Sequence, residues 1–168
     1  MLPKKVEKVL NEQILKEDYS SQLYLSMASW AENQGYVGVS GWLYAQAEEE
    51  RQHMLKFVKY VNDRDGKAVI PGIEKPPAAF GDVFGMFDKV LAHEKFISGS
   101  INEIVAVCIA ENDYTTQNWI QWFVTEQVEE EASVKAIIDR LKLLGKNNLY
   151  MFDRDIMSMR DGAAEASA

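Results

Sequence analysis

The sequence has a single cysteine, Cys108, among 168 residues. That scarcity excludes an intrachain disulfide and any metal site built on several thiolates. Long hydrophobic runs are also missing. The longest is 104–110 (IVAVCIA), far short of the roughly 20 residues that cross a bilayer, and within it Cys108 reads as a small buried hydrophobe. The opening MLPKKVEKVL lacks a continuous apolar core and carries Glu7, so no secretory leader is expected and a cytoplasmic location is. Basic residues are in deficit as well: 18 Lys and Arg against 26 Asp and Glu give a net charge of −8. A surface of that sign repels phosphate backbones and anionic lipid and attracts cations. Neither a nucleic-acid nor a membrane partner is expected.

Proline and glycine are few and unevenly placed. Three of the four prolines (Pro71, Pro76, Pro77) and four of the ten glycines (Gly66, Gly72, Gly81, Gly85) crowd into one short stretch, which marks a long loop. The flanks read as helices over 4–33, 39–65, 85–111 and 115–144, with a shorter helix over about 148–159. The short links on either side of the loop force antiparallel hairpins. The loop itself can return along a whole helix at about 3.3 Å per residue. The expected fold class is all-α: a four-helix bundle with one long crossover and a short fifth helix. It forms one domain over 1–160, with 161–168 as a disordered tail.

The apolar stripes of these helices step by threes and fours, as core-facing stripes do. In the second helix the stripe is Leu43, Ala47, Glu50, Met54, Phe57 and Val61. In the first it is Val6, Leu10, Glu17, Ser21, Tyr24, Ala28 and Ala31. In the third it reads Phe84, Phe87, Leu91, Glu94, Ser98, Ile101, Val105 and Cys108. In the fourth it reads Trp119, Phe123, Glu126, Glu130, Val134, Ile137, Leu141 and Leu144. Each is interrupted near its middle by glutamate. A buried, unpaired carboxylate costs several kcal/mol, so four in one core call for compensating charge. Two divalent cations cancel four carboxylates.

Glu50 and His53 form E-x-x-H, one turn apart on one helix face. Mixed carboxylate and imidazole donors suit iron or manganese. The motif alone is common by chance, and EEERQH (48–53) taken in isolation reads as a solvated face. An internal repeat changes the balance. An offset of 77 carries Glu17 to Glu94, Trp42 to Trp119, and Glu49, Glu50 and His53 to Glu126, Gln127 and Glu130. Two hairpins thus carry one design, a Glu on the first helix and a paired motif on the second, as in di-metal carboxylate bundles. The second motif is Gln127-x-x-Glu130, so the site is asymmetric. His93 lies off the stripes and reads as a surface histidine. Trp122, one turn before Glu126, is placed either near the site or in the core, and Glu131 reads as solvated.

Taken together, Glu17, Tyr24, Glu50-x-x-His53, Glu94 and Gln127-x-x-Glu130 resemble the ferritins, in particular the bacterial non-haem ferritins, over essentially the whole chain. The resemblance implies a ferritin-like bundle. Glu17, Glu50 and His53 would hold one iron, and Glu50, Glu94 and Glu130 a second, with Glu50 bridging, Gln127 beside the pair and Tyr24 a nearby phenol. Glu49, Glu126, Glu129 and Glu130 would form a third iron site, on the side of the pair that faces the inside of the shell. The implied activity is ferroxidation: Fe(II) is oxidised by O2 or H2O2 and stored as hydrated Fe(III) oxide in a shell of 24 identical subunits. A haem-carrying bacterioferritin would need a methionine where Arg51 stands and a second E-x-x-H, so no haem is expected. A rubrerythrin-like peroxidase would need more cysteine, and a metal-free helical scaffold would leave the core carboxylates unexplained. At the start of the fourth helix, where animal ferritins line a pore with acids, this chain has Gln117, Ile120 and Gln121, preceded by Asp113.

Overall fold

The apolar stripes close into five helices in a computed structural model that describes residues 1–166: α1 (Lys4–Asn33), α2 (Val37–Asp63), α3 (Val83–Ala110), α4 (Tyr114–Leu144) and α5 (Leu149–Ala166), with a single 3-10 turn (Lys146–Asn148) before α5. No strand occurs among the described residues. The expected all-α architecture is therefore the observed one, with small shifts at the ends. α2 and α3 each begin two residues early. α5 continues past 159 to Ala166, into the segment expected as a tail. Residues 167 and 168, the rest of that tail, lie outside the described residues.

The 77-residue repeat extends to the turns. It carries the end of α1, Asn33, to the end of α3, Ala110, and the start of α2, Val37, to the start of α4, Tyr114. It also relates Gly35 (φ 88°) to Asn112 (φ 56°), both in the left-handed region that glycine and asparagine enter most readily. The hydrogen bonds match as well: Tyr36 N–H donates to Ala31 C=O, and Asp113 N–H to Cys108 C=O, each at 2.9 Å. One hairpin turn is used twice.

The crossover, residues 64–82, runs along α1. Asn11 accepts from Val69 N–H at 2.7 Å and donates to Lys67 C=O, Ser26 donates to Pro77 C=O at 2.6 Å, and buried Phe80 meets Trp30 edge-on. Its path returns the chain to the end of the bundle where α2 began, so α3 runs parallel to α2. α1 packs against α2 and α3, α3 against α4, and α5 against both α2 and α4; no Cα of α2 comes within 8 Å of one in α4. α5 covers that gap. Phe152 and Ile156 are fully buried, and Asp153 accepts from Val39 N–H at 2.9 Å. The approach depends on Gly38, where a Cβ would fall 1.7 Å from the Asp153 carbonyl oxygen.

Two stripes are rotated relative to expectation. On α3 the buried face is Val83, Met86, Phe87, Val90, Glu94, Ile97, Ile101, Ile104 and Cys108, not the face through Leu91, Ser98 and Val105. On α4, Ile120, Phe123, Gln127, Glu130 and Val134 are buried, and Glu126 turns half out. Because 3.6 residues per turn does not divide evenly into steps of three and four, either neighbouring stripe fits the spacing. Packing decides between them. The interior is two apolar clusters, one around Tyr24, Phe87 and Phe152 and one around Leu10, Phe57 and Phe123. Between them lies a layer of buried polar side chains.

Candidate metal centre

That polar layer is where the interrupted stripes meet. Glu17, Glu50, His53, Glu94, Gln127 and Glu130, from all four long helices, are each no more than 7% exposed. Donor atoms of Glu17, Glu50 and His53 lie within 4.8 Å of one another. His53 Nδ1 is 3.3 Å from Glu50 Oε2. The Tyr24 hydroxyl donates to Glu94 Oε1. Gln127 Nε2 donates to Glu94 Oε2 at 3.2 Å and to the Glu94 carbonyl at 3.3 Å.

Two glutamines not anticipated from the sequence support the carboxylates. Gln13 Nε2 donates to Glu17 Oε1 at 2.7 Å. Gln46 Nε2 donates to both Glu50 Oε1 and Glu130 Oε2 at 3.0 Å, tying α2 to α4. Each stands four residues before the glutamate on its own helix, so the pattern Q-x-x-x-E at 13–17 and 46–50 was a readable signal. Ser100 donates to Gln13 and accepts from Lys16 Nζ at 2.9 Å, which extends the chain of bonds to the surface.

Burial sets the proton affinities. It raises Glu17 and Glu130 well above the usual carboxylate range, reinforced by the charge of Glu50. Glu94 is pushed up to about 8, again by burial first and Glu50 second. Tyr24 is held far above an ordinary phenol by burial and by Glu94. Burial acts most strongly on Glu50 too, but the hydrogen bond and charge of His53, joined by hydrogen bonds with Gln46 and Glu17, together leave Glu50 lowered. Among the described residues, no lysine or arginine pairs with Glu17, Glu50, Glu94 or Glu130.

The fit to a cation rests on one atom. Glu17 Oε2 is buried and has no hydrogen-bond partner, which costs about 1–3 kcal/mol, more for a charged group. An all-oxygen cluster with one imidazole is the donor set of iron or manganese rather than of a soft thiolate metal.

A second cluster lies beside the first. Donor atoms of Glu49, His53 and Glu126 also lie within 4.8 Å of one another. With Glu129 and Glu130, Glu49 and Glu126 line a cavity of about 500 Å³ between α2, α4 and α5. Glu126 is raised by partial burial. Lys56 is lowered by its own burial, against the opposing charges of Glu126 and Glu49. Arg160 of α5 pairs with Glu49.

The remaining candidates fall as follows. His93 is not a surface residue: it is half-buried, its Nε2 lies 2.7 Å from Ser20 Oγ, and Tyr24 meets it edge-on at 5.8 Å. The reason is the α3 rotation, which turns 93 toward α1. Trp122 packs near the site and not in the core, with its ring 5.6 Å from that of His53 while it stays 44% exposed. Glu131 accepts from Ser98 Oγ at 2.5 Å. Asp113 is buried, caps α4 through Thr116 N–H and pairs with Arg64.

Comparison with known proteins gives one answer. The model of the ferritin-like domain family matches residues 7–144. The chain is 41% identical over 161 residues to the bacterial non-heme ferritin of Campylobacter jejuni, covering 95% of this chain and 96% of that protein. It is 35% identical over 156 residues to the bacterial non-heme ferritin of Bacteroides fragilis, covering 93% and 98%. Among solved structures, a novel open pore ferritin from Archaeoglobus fulgidus superposes with a TM-score of 0.90 at 38% identity, covering 92% of this chain and 96% of that one.

Proposed function

The chain belongs to the ferritin family, and from that premise we infer that it stores iron: it binds Fe(II) at the buried centre, oxidises it there and passes Fe(III) to a hydrated oxide held within a hollow shell. The observation that carries the reading is the partnerless, buried Glu17 Oε2 among four buried carboxylates that no lysine or arginine neutralises. Iron is the substrate here, and the protein supplies position and charge.

In this reading Glu17, Glu50 and His53 take one Fe(II). Glu50, Glu94 and Glu130 take the other, with Glu50 between them. Divalent ions displace the protons that burial holds on Glu17, Glu94 and Glu130, and two such ions balance four carboxylates. Each Fe(II) gives up one electron. The two electrons and two protons reduce O2 to H2O2, or H2O2 to two waters. Gln13, Gln46 and Gln127 hold the carboxylates in place through their amides, and Tyr24 keeps Glu94 oriented through its hydroxyl. Glu49, Glu126 and Glu129, with Glu130 shared, form a third site on the cavity side. Its oxygen-rich donor set makes it weaker than the pair.

The working form is a shell of 24 identical chains, each with a formal charge of −8, which concentrates cations and favours mineral growth. No helix of the described residues is long and apolar enough to cross a membrane, and the assembly is assigned to the cytoplasm. Domain 1–160 carries the whole site. No haem is part of it: Arg51, where a haem-ligating methionine would stand, is exposed on α2.

Native mass spectrometry combined with stopped-flow absorbance after aerobic addition of Fe(II) tests the proposal. A 24-chain mass and a rapid rise of ferric absorbance are expected. A monomer as the only species, or oxidation no faster than in buffer, would overturn it. Purified protein supplied with haem should show no stoichiometric Soret band.

A further inference from the structure

The outer carboxylates already hold a cation, and it belongs to the protein. Arg160 lies on α5, remote in sequence from α2, and its guanidinium reaches across the 500 Å³ cavity. Nη2 pairs with Glu49 Oε2, and Nη1 donates to Gln46 Oε1 at 2.9 Å. The guanidinium carbon stands 5.7 Å from the Trp42 ring centroid. One arm thus sits on an outer carboxylate and the other on the amide that links Glu50 to Glu130. Both partners keep some solvent contact, with side chains 24% and 33% exposed.

We propose that Arg160 is a displaceable latch on the outer site: it occupies Glu49 until a divalent cation takes its place. This rests on the reading of Glu49, Glu126, Glu129 and Glu130 as a third metal site. The Glu49 oxygen that accepts from the guanidinium is the one a metal must share with the arginine or take from it, so the two cations compete for it. A unit positive charge a few ångströms from a divalent ion also repels it. The latch therefore lowers the affinity of the outer site and meets the inner carboxylates only indirectly, through the Gln46 amide. It enforces an order: the buried pair fills first and the outer position last.

Release requires only a side-chain movement. The anchors of α5, namely buried Phe152, the Asp153 bond to Val39, buried Ile156 and partly buried Met159, all precede Arg160. Arginine carries several rotatable bonds and a weakly hydrated, rigid fork, so it can swing toward the open cavity while the helix stays docked. Lys56 stands on the other flank of the cluster, with Nζ 3.1 Å from the Trp122 ring centroid. It touches no donor of Glu49 and is not part of the latch.

The test is metal binding without turnover. Assembled wild type and Arg160→Gln are titrated with Zn(II) by calorimetry, and with Fe(II) under strict anaerobiosis. In the variant, a third class of site should tighten about tenfold, roughly the loss of a charge-assisted pair plus one repulsion, while the first two equivalents per chain stay as they were. In a Glu49→Gln background the same substitution should change third-class affinity by no more than about threefold, because the coupled pair is gone and only the through-space repulsion is relieved. Arg160→Lys, which keeps the charge and loses the fork, should fall between and serves if the glutamine variant fails to assemble. Equal third-class affinity in wild type and variant, or no third class in either, overturns the latch. Failure of the dinuclear reading is distinct, because it removes the first two equivalents from the wild type.

Discussion

Glu17, Glu50, Glu94 and Glu130 are buried and meet only amides, a phenol and one imidazole, whereas Glu49, Glu126 and Glu129 stand partly in solvent beside Lys56 and Arg160. The two sets share His53. Solvent contact and two basic side chains offset part of the outer negative charge, although partial burial still raises Glu126. The inner ones have neither, so their charge must be cancelled by protons or by something brought in. Repulsion among acidic groups therefore calls for a metal in the inner cluster, whereas in the outer one the protein supplies a counter-charge of its own, with which a metal must compete.

The widest consequence of this contrast is catalytic. Glu50 is the only inner carboxylate held below its ordinary range, and it touches both His53 and Gln46. Glu50→Ala should slow Fe(II) oxidation by about a hundredfold or more, read by stopped-flow absorbance, while native mass spectrometry shows an intact shell. Wild-type oxidation in that variant would remove the distinction between inner and outer sets.

Next comes the pH dependence of the metal-free protein. Glu17, Glu94 and Glu130 have folded-state pKa values above the unfolded value of 4.5. The stability tied to their neutral forms is complete below that value and is lost as pH rises through the folded values, about 8 for Glu94. At about 1.4 kcal/mol per unit, Glu94 alone accounts for several kcal/mol. Glu50 works in the opposite direction, because its lowered value adds stability above the ordinary range. With three groups against one, the apparent Tm of apo protein should fall between pH 5 and about 8. Zn(II) should flatten the curve, because it binds the deprotonated forms. A Tm rising steadily over that range would contradict the inner assignments.

Smaller effects belong to the outer set. Glu49→Ala combined with Glu126→Ala should leave two tight sites per chain in an anaerobic Fe(II) titration and remove a third, with a change in the Fe(II)-to-oxygen ratio. Two sites in both parent and double variant would dissolve the outer site. The smallest effect is expected of Lys56→Met. It removes an exposed cation that faces Glu126 and Glu49 only through space, so third-site affinity should rise no more than about threefold.

The part of this that was legible beforehand follows from periodicity. A stripe of apolar residues stepping by threes and fours, broken by one glutamate, identifies a helix, its inner face and its anomaly together. The 77-residue repeat tied four such anomalies into one layer, and it proved to govern the turns at Gly35 and Asn112 as well. The rotation of α3 and α4 was not legible. Adjacent stripes on one helix satisfy the same steps, and only contact with α1, α2 and α5 selects between them. Hence His93 came out half-buried and Glu126 half-exposed. Gln13 and Gln46 carried a signal in their spacing from Glu17 and Glu50, one that apolar patterning passes over.

The sequence by itself determined the helices, the hairpins, the long crossover and the presence of carboxylates where carboxylates are costly, because each depends on local spacing and on the chemistry of single residues. Only the tertiary structure decided how those charges are balanced. Glu17 Oε2 has no hydrogen-bond partner, and the groups around it, Gln13 of its own helix, Glu50 and His53 of α2 and Glu94 of α3, include no lysine or arginine. Glu49 has Arg160 because the gap between α2 and α4 is covered by α5, docked through Gly38 and Asp153. Electrostatic compensation acts through space over a few ångströms, and residues far apart in the chain meet at that distance only when the bundle is closed.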